Sequence, residues 1–314
     1  MARDKVKLTL KNGEELFGHS WTIEKPIANV VILTGMEEHS LRYDHFANFL
    51  NENGYNVYCV DHYGQGENAN EPEELGVWPV SGFSKTVKNT DELVEKLRVS
   101  VLPTYLFGHS MGSFIVQDYI QRYTEHVNKV ILSGTNGPNR LMIGIGYFLS
   151  RLIVNKKNRK QPSKFLRNLM LGPYTASVKN RKTKTDWLSV NEENVRRYNE
   201  DPKCGFLYES KKSFYREFLK GLNRLHKPKF MRKIRQDMSI LLIAGVEDPV
   251  GNKSKGPIKL ARLYKRLGIH DVETIIYPNM RHEVLNETDN KRVYQDVLRF
   301  LKEEHAKAEA MIKN

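Results

Sequence analysis

Cysteine is scarce in this 314-residue chain, which holds only two, Cys59 and Cys204. Two are too few for a disulfide framework, and no His and Cys residues cluster at the spacing of a structural zinc site. Long hydrophobic runs are missing as well, because no stretch reaches the roughly 18 uninterrupted apolar residues of a membrane-spanning helix. The first ten residues are too charged for the apolar region of a signal peptide. We therefore predict a cytoplasmic protein with no disulfide, no metal and no cofactor.

Acidic residues are absent from one long segment. The net charge is +13, and between Pro138 and Thr185 the chain has twelve Lys or Arg and no Asp or Glu. Such a block suits peripheral contact with an anionic membrane or an anionic substrate, and it equally suits a solvated face that aids solubility. No recognisable nucleic-acid module accompanies the charge, and aromatic residues are not interleaved with it. We predict no nucleic-acid partner.

Short hydrophobic runs recur along the chain. The segment from Val6 to Ile23 alternates around Asn12-Gly13, as a β-hairpin does. Six later runs are nearly continuous, as in strands buried on both faces, at 29–33, 55–60, 104–107, 129–132, 239–243 and 273–277. Helical patterns lie between many of them, at 43–51, 86–98 and 112–123. This alternation predicts an α/β fold with a mostly parallel central sheet flanked by helices.

One interval breaks the alternation. About 100 residues separate the strand ending near Ser133 from the strand starting near Ser239, and their patterns are those of helices and loops. We predict a helical cap, residues 137–208, inserted between late strands of a single-domain core formed by 1–136 and 209–314. The apolar start of the cap, Leu141 to Val154, either docks on lipid or packs onto the core.

A serine stands in the pattern G-x-S-x-G. Gly108-His109-Ser110-Met111-Gly112 follows a predicted strand and precedes a predicted helix. A nucleophilic serine must project from a sharp strand-to-helix turn, and the two glycines allow that turn to form. The pattern in this context predicts Ser110 as the nucleophile of a serine hydrolase.

A serine hydroxyl needs a base, and the base needs a carboxylate that orients it. Asp248 and His282 each follow a late strand, at the sheet edge where open α/β sheets build their sites. We predict His282 within hydrogen-bond reach of Ser110, and Asp248 at the other ring nitrogen. The alternatives are a turn or capping role for Asp248, its neighbour Glu247 as the acid, and a plain loop histidine at 282.

Acyl transfer also needs donors for the oxyanion, and in this fold these are backbone N–H groups. Met111, directly after the serine, supplies one. Met36 supplies the other, because Gly35 lets the chain turn sharply towards the site. The alternative is an ordinary glycine turn.

Four ordered motifs resemble those of one α/β-hydrolase group. Thr34 to Tyr43 resembles the loop HGxGEHSxRY, Gly54 to Gly66 resembles GYxVxxxDxxGHG, Gly108 to Gly112 matches GHSMG, and Tyr198 to Pro202 resembles a YxxDP element. Together they resemble the monoglyceride lipase and lysophospholipase family, also called serine aminopeptidase-like, over about residues 15 to 303. Thr34 and Gln65 replace histidines of the family pattern.

The resemblance implies a carboxylic ester hydrolase with a lipid-like substrate and a mobile cap that forms the acyl pocket. The leading hypothesis is an esterase acting on a single-acyl substrate such as monoacylglycerol or lysophospholipid. A peptidase or an acyltransferase uses the same three residues and the same acyl-enzyme. A non-catalytic ligand-binding or membrane-binding scaffold is a further alternative.

Overall fold

A single eight-stranded sheet forms the centre of the molecule. The computed structural model describes residues 2–205 and 210–312, with side chains over 3–205 and 210–303. The strands are β1 (Ala2–Thr9), β2 (Glu15–Thr22), β3 (Ala28–Leu33), β4 (Tyr55–Val60), β5 (Thr104–His109), β6 (Lys129–Ser133), β7 (Ser239–Gly245) and β8 (Val272–Tyr277). Their spatial order is β1-β2-β4-β3-β5-β6-β7-β8. The strands β3 to β8 are parallel, and β1 and β2 pair antiparallel at one edge.

The predicted hairpin is the antiparallel edge. Its turn is closed by backbone hydrogen bonds between Leu10 and both Gly13 and Glu14. Gly13 has a φ of 85°, a left-handed conformation that glycine adopts at no steric cost. The Asn-Gly signal therefore placed this turn correctly.

Ten helices are described along the chain. They are α1 (Asp44–Glu52), α2 (Gly82–Arg98), α3 (Met111–Tyr119), α4 (Arg140–Ile153), α5 (Lys164–Ser177), α6 (Glu192–Glu200), α7 (Lys212–Leu225), α8 (Pro228–Met231), α9 (Lys255–Arg266) and α10 (Asn290–Ile312). Helices α1 and α10 cover one face of the sheet, while α2, α3, α7 and α9 cover the other. Because strand side chains alternate between faces, Leu106 and Phe107 of β5 lie in different cores. The architecture is that of an α/β-hydrolase, as the sequence predicted.

The long interval between β6 and β7 holds α4 to α8. Helix α7 packs into the core beside α2, since Phe214 and Phe218 share a cluster with Trp78 and Phe83. In α4, by contrast, only Gly146 and Ser150 are buried. Five apolar side chains of α4 are 46% to 75% exposed: Leu141, Met142, Ile145, Phe148 and Leu152. This face of α4 is therefore open to solvent, whereas Val154 at the end of the segment is buried in the core and Ile153 packs against it.

The division into core and cap remains a prediction, and its boundary at residues 208 and 209 lies outside the described residues. Among the described helices, none combines the length and the apolar character needed to cross a membrane.

Candidate active site

Ser110 occupies a sharp turn between β5 and α3. Its backbone has a φ of 51° and a ψ of −116°, and its N–H donates to the carbonyl of Ser133 at 2.9 Å. A non-glycine residue at such a positive φ costs about 1 to 3 kcal/mol, which the surrounding packing must offset. A Cβ atom at Gly108 would lie 2.5 Å from the Gly112 carbonyl oxygen, and one at Gly112 would lie 2.0 Å from that of Leu33. Both glycines are therefore required by close packing around the turn.

His282 and Asp248 form a buried pair beyond β8 and β7. His282 Nδ1 donates to Asp248 Oδ1 at 3.0 Å, and both side chains are almost fully buried. The same carboxylate oxygen accepts the N–H of Val250 at 2.9 Å. Glu247 instead lies 3.5 Å from the Arg281 guanidinium with half of its side chain exposed. The structure thus brings Asp248, and not Glu247, to the ring of His282.

The second ring nitrogen of His282, Nε2, is the predicted partner of the Ser110 hydroxyl. His282 and Ser110 line one pocket, yet the buried Nε2 atom has no hydrogen-bond partner among the described residues. The two side chains therefore share a pocket without being joined by a hydrogen bond. Burial lowers the pKa of His282, but the charge and hydrogen bond of Asp248 outweigh burial, so its pKa is raised.

A second histidine lies against the ring of His282. The rings of His109 and His282 are 4.8 Å apart. Burial and the nearby His282 lower the pKa of His109 to about 3. His109 is therefore neutral near pH 7 and leaves His282 as the basic group of the pair. Gly134 leaves room for the His282 ring, because a Cβ atom at position 134 would lie 2.8 Å from His282 Cε1.

The loop after β3 carries the predicted oxyanion residue Met36. Met36 and Met111 line the same pocket as Ser110. The backbone of Gly35 lies close to the nucleophile, since a Cβ atom at Gly35 would be 3.2 Å from Ser110 Cβ. A larger residue at 35 would crowd the serine, which gives this glycine a steric reason beyond an ordinary turn.

Gln65 braces that loop from behind. Its buried side-chain amide donates to the carbonyls of Gly35 and Glu38, each at 2.8 Å. Glu38 in turn accepts the Gly35 N–H and the Tyr43 hydroxyl. Position 65 departs from the family motif, and the structure gives it a role in holding the backbone on either side of Met36.

Three charged contacts join the loop 37–42 to the long insertion. Glu37 forms a buried, two-pronged ion pair with Arg167 of α5 at 2.9 and 3.1 Å. His39 hydrogen-bonds Asp201, directly after α6, at 2.8 Å. Arg42 binds both oxygens of Glu283 at 2.7 Å and the side chain of Asn194. The loop that carries Met36 is therefore fastened to the segment above it.

The loop preceding α6 rests on the segment around His282. The Glu283 N–H donates to the Leu188 carbonyl at 2.7 Å, and Arg281 donates to the carbonyls of Asp186 and Ser189. These bonds place the Trp187 ring 5.1 Å from that of His282. Sequence reasoning missed Trp187, because nothing near it in the chain points to His282.

The pocket over Ser110 is mostly apolar and adjoins a second cavity. The first has a volume of about 600 Å³ and the second about 920 Å³. Five residues line both cavities: Phe114, Met170, Tyr174, Phe218 and Val250. The second cavity extends to the exposed α4 side chains Met142 and Ile145. Apolar side chains therefore extend from the pocket of Ser110 to the exposed face of α4.

Residues 24–289 match the family described as Serine aminopeptidase, S33. The monoacylglycerol lipase of Mycolicibacterium smegmatis is 26% identical over 288 residues, or 88% of this chain and 89% of that protein. Human monoglyceride lipase is 29% identical over 204 residues, or 64% of this chain and 60% of that one. The crystal structure of a thermostable carboxyl esterase from Bacillus coagulans in complex with glycerol covers 96% of this chain and 98% of that one, with a TM-score of 0.88 and 26% identity. The chain belongs to the serine aminopeptidase S33 family and is an α/β-hydrolase of the monoglyceride lipase and lysophospholipase group.

Proposed function

We propose that this hydrolase cleaves carboxylic esters through an acyl-enzyme on Ser110, with His282 as general base and Asp248 as its orienting acid. The observation that carries the proposal is the buried Asp248–His282 hydrogen bond of 3.0 Å, which leaves the second nitrogen of His282 in the pocket of Ser110. The raised pKa of His282 suits a group that takes a proton in one step and returns it in the next.

In the first half-reaction the Ser110 hydroxyl turns towards His282 Nε2, loses its proton to it and attacks the ester carbonyl. The tetrahedral oxyanion accepts hydrogen bonds from the backbone N–H groups of Met36 and Met111. His282 then protonates the departing alcohol, which leaves the acyl group on Ser110. Water repeats the sequence and releases the acid. Asp248 accepts the hydrogen bond from His282 Nδ1 and stabilises the imidazolium in both halves.

The two adjoining apolar cavities support a substrate with one acyl chain. Phenylalanine, methionine and valine side chains line both cavities, and a hydrocarbon chain gains about 0.8 kcal/mol for each buried methylene. The two cavities lie next to each other and have five lining residues in common, which suits one acyl chain extending from Ser110 towards α4. Monoacylglycerol and lysophospholipid, each with a single chain, are the substrates we propose, and the names of the relatives support the same class.

Substrate preference is tested by comparing hydrolysis rates. The panel contains p-nitrophenyl esters of graded chain length, a monoacylglycerol, a lysophospholipid and an aminoacyl-anilide, with Ser110→Ala as the blank. We expect higher kcat/KM for medium and long acyl esters than for acetate, and no cleavage of the anilide. Faster cleavage of the anilide would favour the peptidase alternative. Transfer of the acyl group to glycerol in preference to water would favour the acyltransferase.

We also propose that the exposed α4 face and the basic 138–185 segment dock on anionic membrane. Not every cation is available, because Arg167 is buried against Glu37 and Arg159 donates to the Trp78 carbonyl. Several exposed cations remain, and four of them follow α4 closely in the chain: Lys156, Lys157, Lys160 and Lys164. Each Lys near an anionic bilayer contributes about 1 kcal/mol, so four correspond to several hundredfold in partitioning.

The membrane proposal is tested by co-sedimentation with vesicles. The wild type should bind vesicles containing anionic lipid and lose binding as salt rises. A variant with the four lysines changed to Gln should bind several hundredfold less tightly. Equal partitioning of both proteins would refute the electrostatic contact. The cytoplasmic location and the absence of a nucleic-acid partner remain predictions from the sequence.

A further inference from the structure

A cluster of three possible metal ligands lies where the insertion meets the loop of Met36. The coordinating atoms of His39, Asp201 and Cys204 all lie within 4.8 Å of one another. His39 Nε2 and Asp201 Oδ2 are 2.8 Å apart, and Cys204 is fully buried. None of the three has a part in the hydrolysis proposed above.

The local backbone presents two of the ligands together. Helix α6 ends at Glu200, and the chain then turns so that the Cys204 N–H donates to the Asp201 carbonyl at 3.0 Å. Two ligands three positions apart on one turn match the spacing that zinc sites use for a chelating pair. Asp201 Oδ1 accepts the Lys203 N–H at 2.8 Å, which fixes the carboxylate and leaves Oδ2 for a cation.

The dimensions suit a small divalent ion. With bonds of about 2.0 to 2.3 Å, neighbouring ligand atoms of a tetrahedral site are roughly 3.5 Å apart. His39 Nε2 and Asp201 Oδ2 are 2.8 Å apart and all three ligand atoms lie within 4.8 Å of one another, so the cluster is close to this size and an ion would move His39 and Asp201 slightly apart. Imidazole, carboxylate and thiolate are together the ligands of zinc rather than of magnesium or calcium.

Charge and access also favour a cation. Two positive groups lie nearby and both are already paired, Arg42 with the carboxylates of Glu38 and Glu283 and Lys203 with that of Glu67. The surroundings therefore keep an excess of negative charge. The Asp201 side chain is 29% exposed, which gives an ion a route from solvent.

We propose that His39, Asp201 and Cys204 form a binding site for a borderline-soft divalent cation of the zinc class, with water as the fourth ligand. The ion would replace the His39–Asp201 hydrogen bond by coordinate bonds and tie the insertion to the loop of Met36. This proposal departs from the sequence-based prediction of no metal, which rested on local spacing, because His39 and Asp201 are 162 positions apart. The site does not depend on the proposed esterase activity.

Cadmium alone is the probe, because a cadmium–thiolate bond has a strong ultraviolet charge-transfer absorption. The full-length reduced protein, freed of metal by a chelator, should show this absorption saturating at one equivalent, and zinc should displace it. Cys204→Ala should abolish the signal. The chain has one other cysteine, so Cys59→Ala is the matched control and should keep it.

A second variant protects the test against misfolding of Cys204→Ala. Gln at position 39 still offers an N–H to Asp201 but is a poor metal ligand, so His39→Gln should weaken cadmium binding by about tenfold or more. The proposal is overturned if the absorption does not saturate at one equivalent, if zinc fails to compete, or if His39→Gln binds as tightly as the wild type. A signal that disappears in Cys59→Ala instead of Cys204→Ala would also overturn it.

Discussion

Removal of Arg167 should destabilise the molecule more than removal of any exposed cation in the basic segment. The Arg167 and Glu37 side chains are 5% and 2% exposed, and the pair spans α5 and the loop of Met36. Breaking a buried ion pair costs about 3 to 5 kcal/mol, because it leaves an uncompensated charge. Ser210 still donates to Glu37, so we expect the lower end for Arg167→Met, about 3 kcal/mol. For a chain of this length, that lowers Tm by roughly 4 to 5 °C.

The charge itself is tested by a double variant and by pH. Burial raises the pKa of Glu37, and Arg167 opposes that effect. A carboxyl group whose pKa is higher in the folded state than in the unfolded state stabilises the folded protein at low pH. That contribution is lost as the pH rises through the folded-state pKa. The loss of unfolding free energy caused by Arg167→Met should therefore be larger at pH 8 than at pH 5. Glu37→Gln combined with Arg167→Met should recover at least about half of the lost stability and show no such pH dependence.

Urea unfolding followed by tryptophan fluorescence measures these differences. The control is Lys182→Met on the same segment, because Lys182 and Glu192 are 70% and 75% exposed and form an ordinary surface pair. It should leave the midpoint unchanged. A cost below about 1 kcal/mol for Arg167→Met would show that the buried pair does not form in solution. A double variant as unstable as the single one would show that charge is not the cause.

Three further predictions concern the candidate site. Gln65→Leu leaves the carbonyls of Gly35 and Glu38 without their donor, so kcat for a short ester should fall at least about tenfold while KM changes little. Gln65→His should restore much of the lost kcat. A Leu variant as fast as the wild type would contradict the bracing role. Trp187→Ala removes the ring beside His282 and should lower kcat and shift the pH–rate profile. Trp187→Phe should keep the kcat and the profile of the wild type. An unchanged profile in the Ala variant would limit Trp187 to substrate contact. Because the pKa of His282 is raised and the base must be neutral, the acidic limb of kcat/KM should have its midpoint above the usual value of about 6.5; a midpoint well below it would contradict the Asp248 contact.

The sheet was largely predictable because its signals are local. The central parallel strands, such as β3 and β6, are short apolar runs buried on both faces, whereas the edge strand β8 is only half-buried along most of its length. The Asn12-Gly13 turn places the edge hairpin. Helix boundaries were less accurate. Helix α2 begins at Gly82 rather than at 86, and α3 ends at Tyr119 rather than at 123, because packing on the sheet decides where the helical pattern stops.

Within the candidate site, the positions at strand ends could be inferred and the contacts between distant segments could not. Ser110, Asp248 and His282 each follow a strand, so chain order and strand pattern were enough to select them. The ion pair of Glu37 with Arg167 joins positions 130 apart, and no local pattern specifies it. The twelve cations of the basic segment looked equivalent in the sequence, although at least Arg167 is structural.

Covalent labelling of Ser110 tests the central claim most directly. A fluorophosphonate reacts with a serine only where a base and an oxyanion site activate its hydroxyl. The wild-type protein should take up one equivalent, located on Ser110 by peptide mass spectrometry, and Ser110→Ala should take up none while remaining folded. His282→Gln should label far more slowly. Absence of labelling in the folded wild type, or labelling at another serine, would contradict the account.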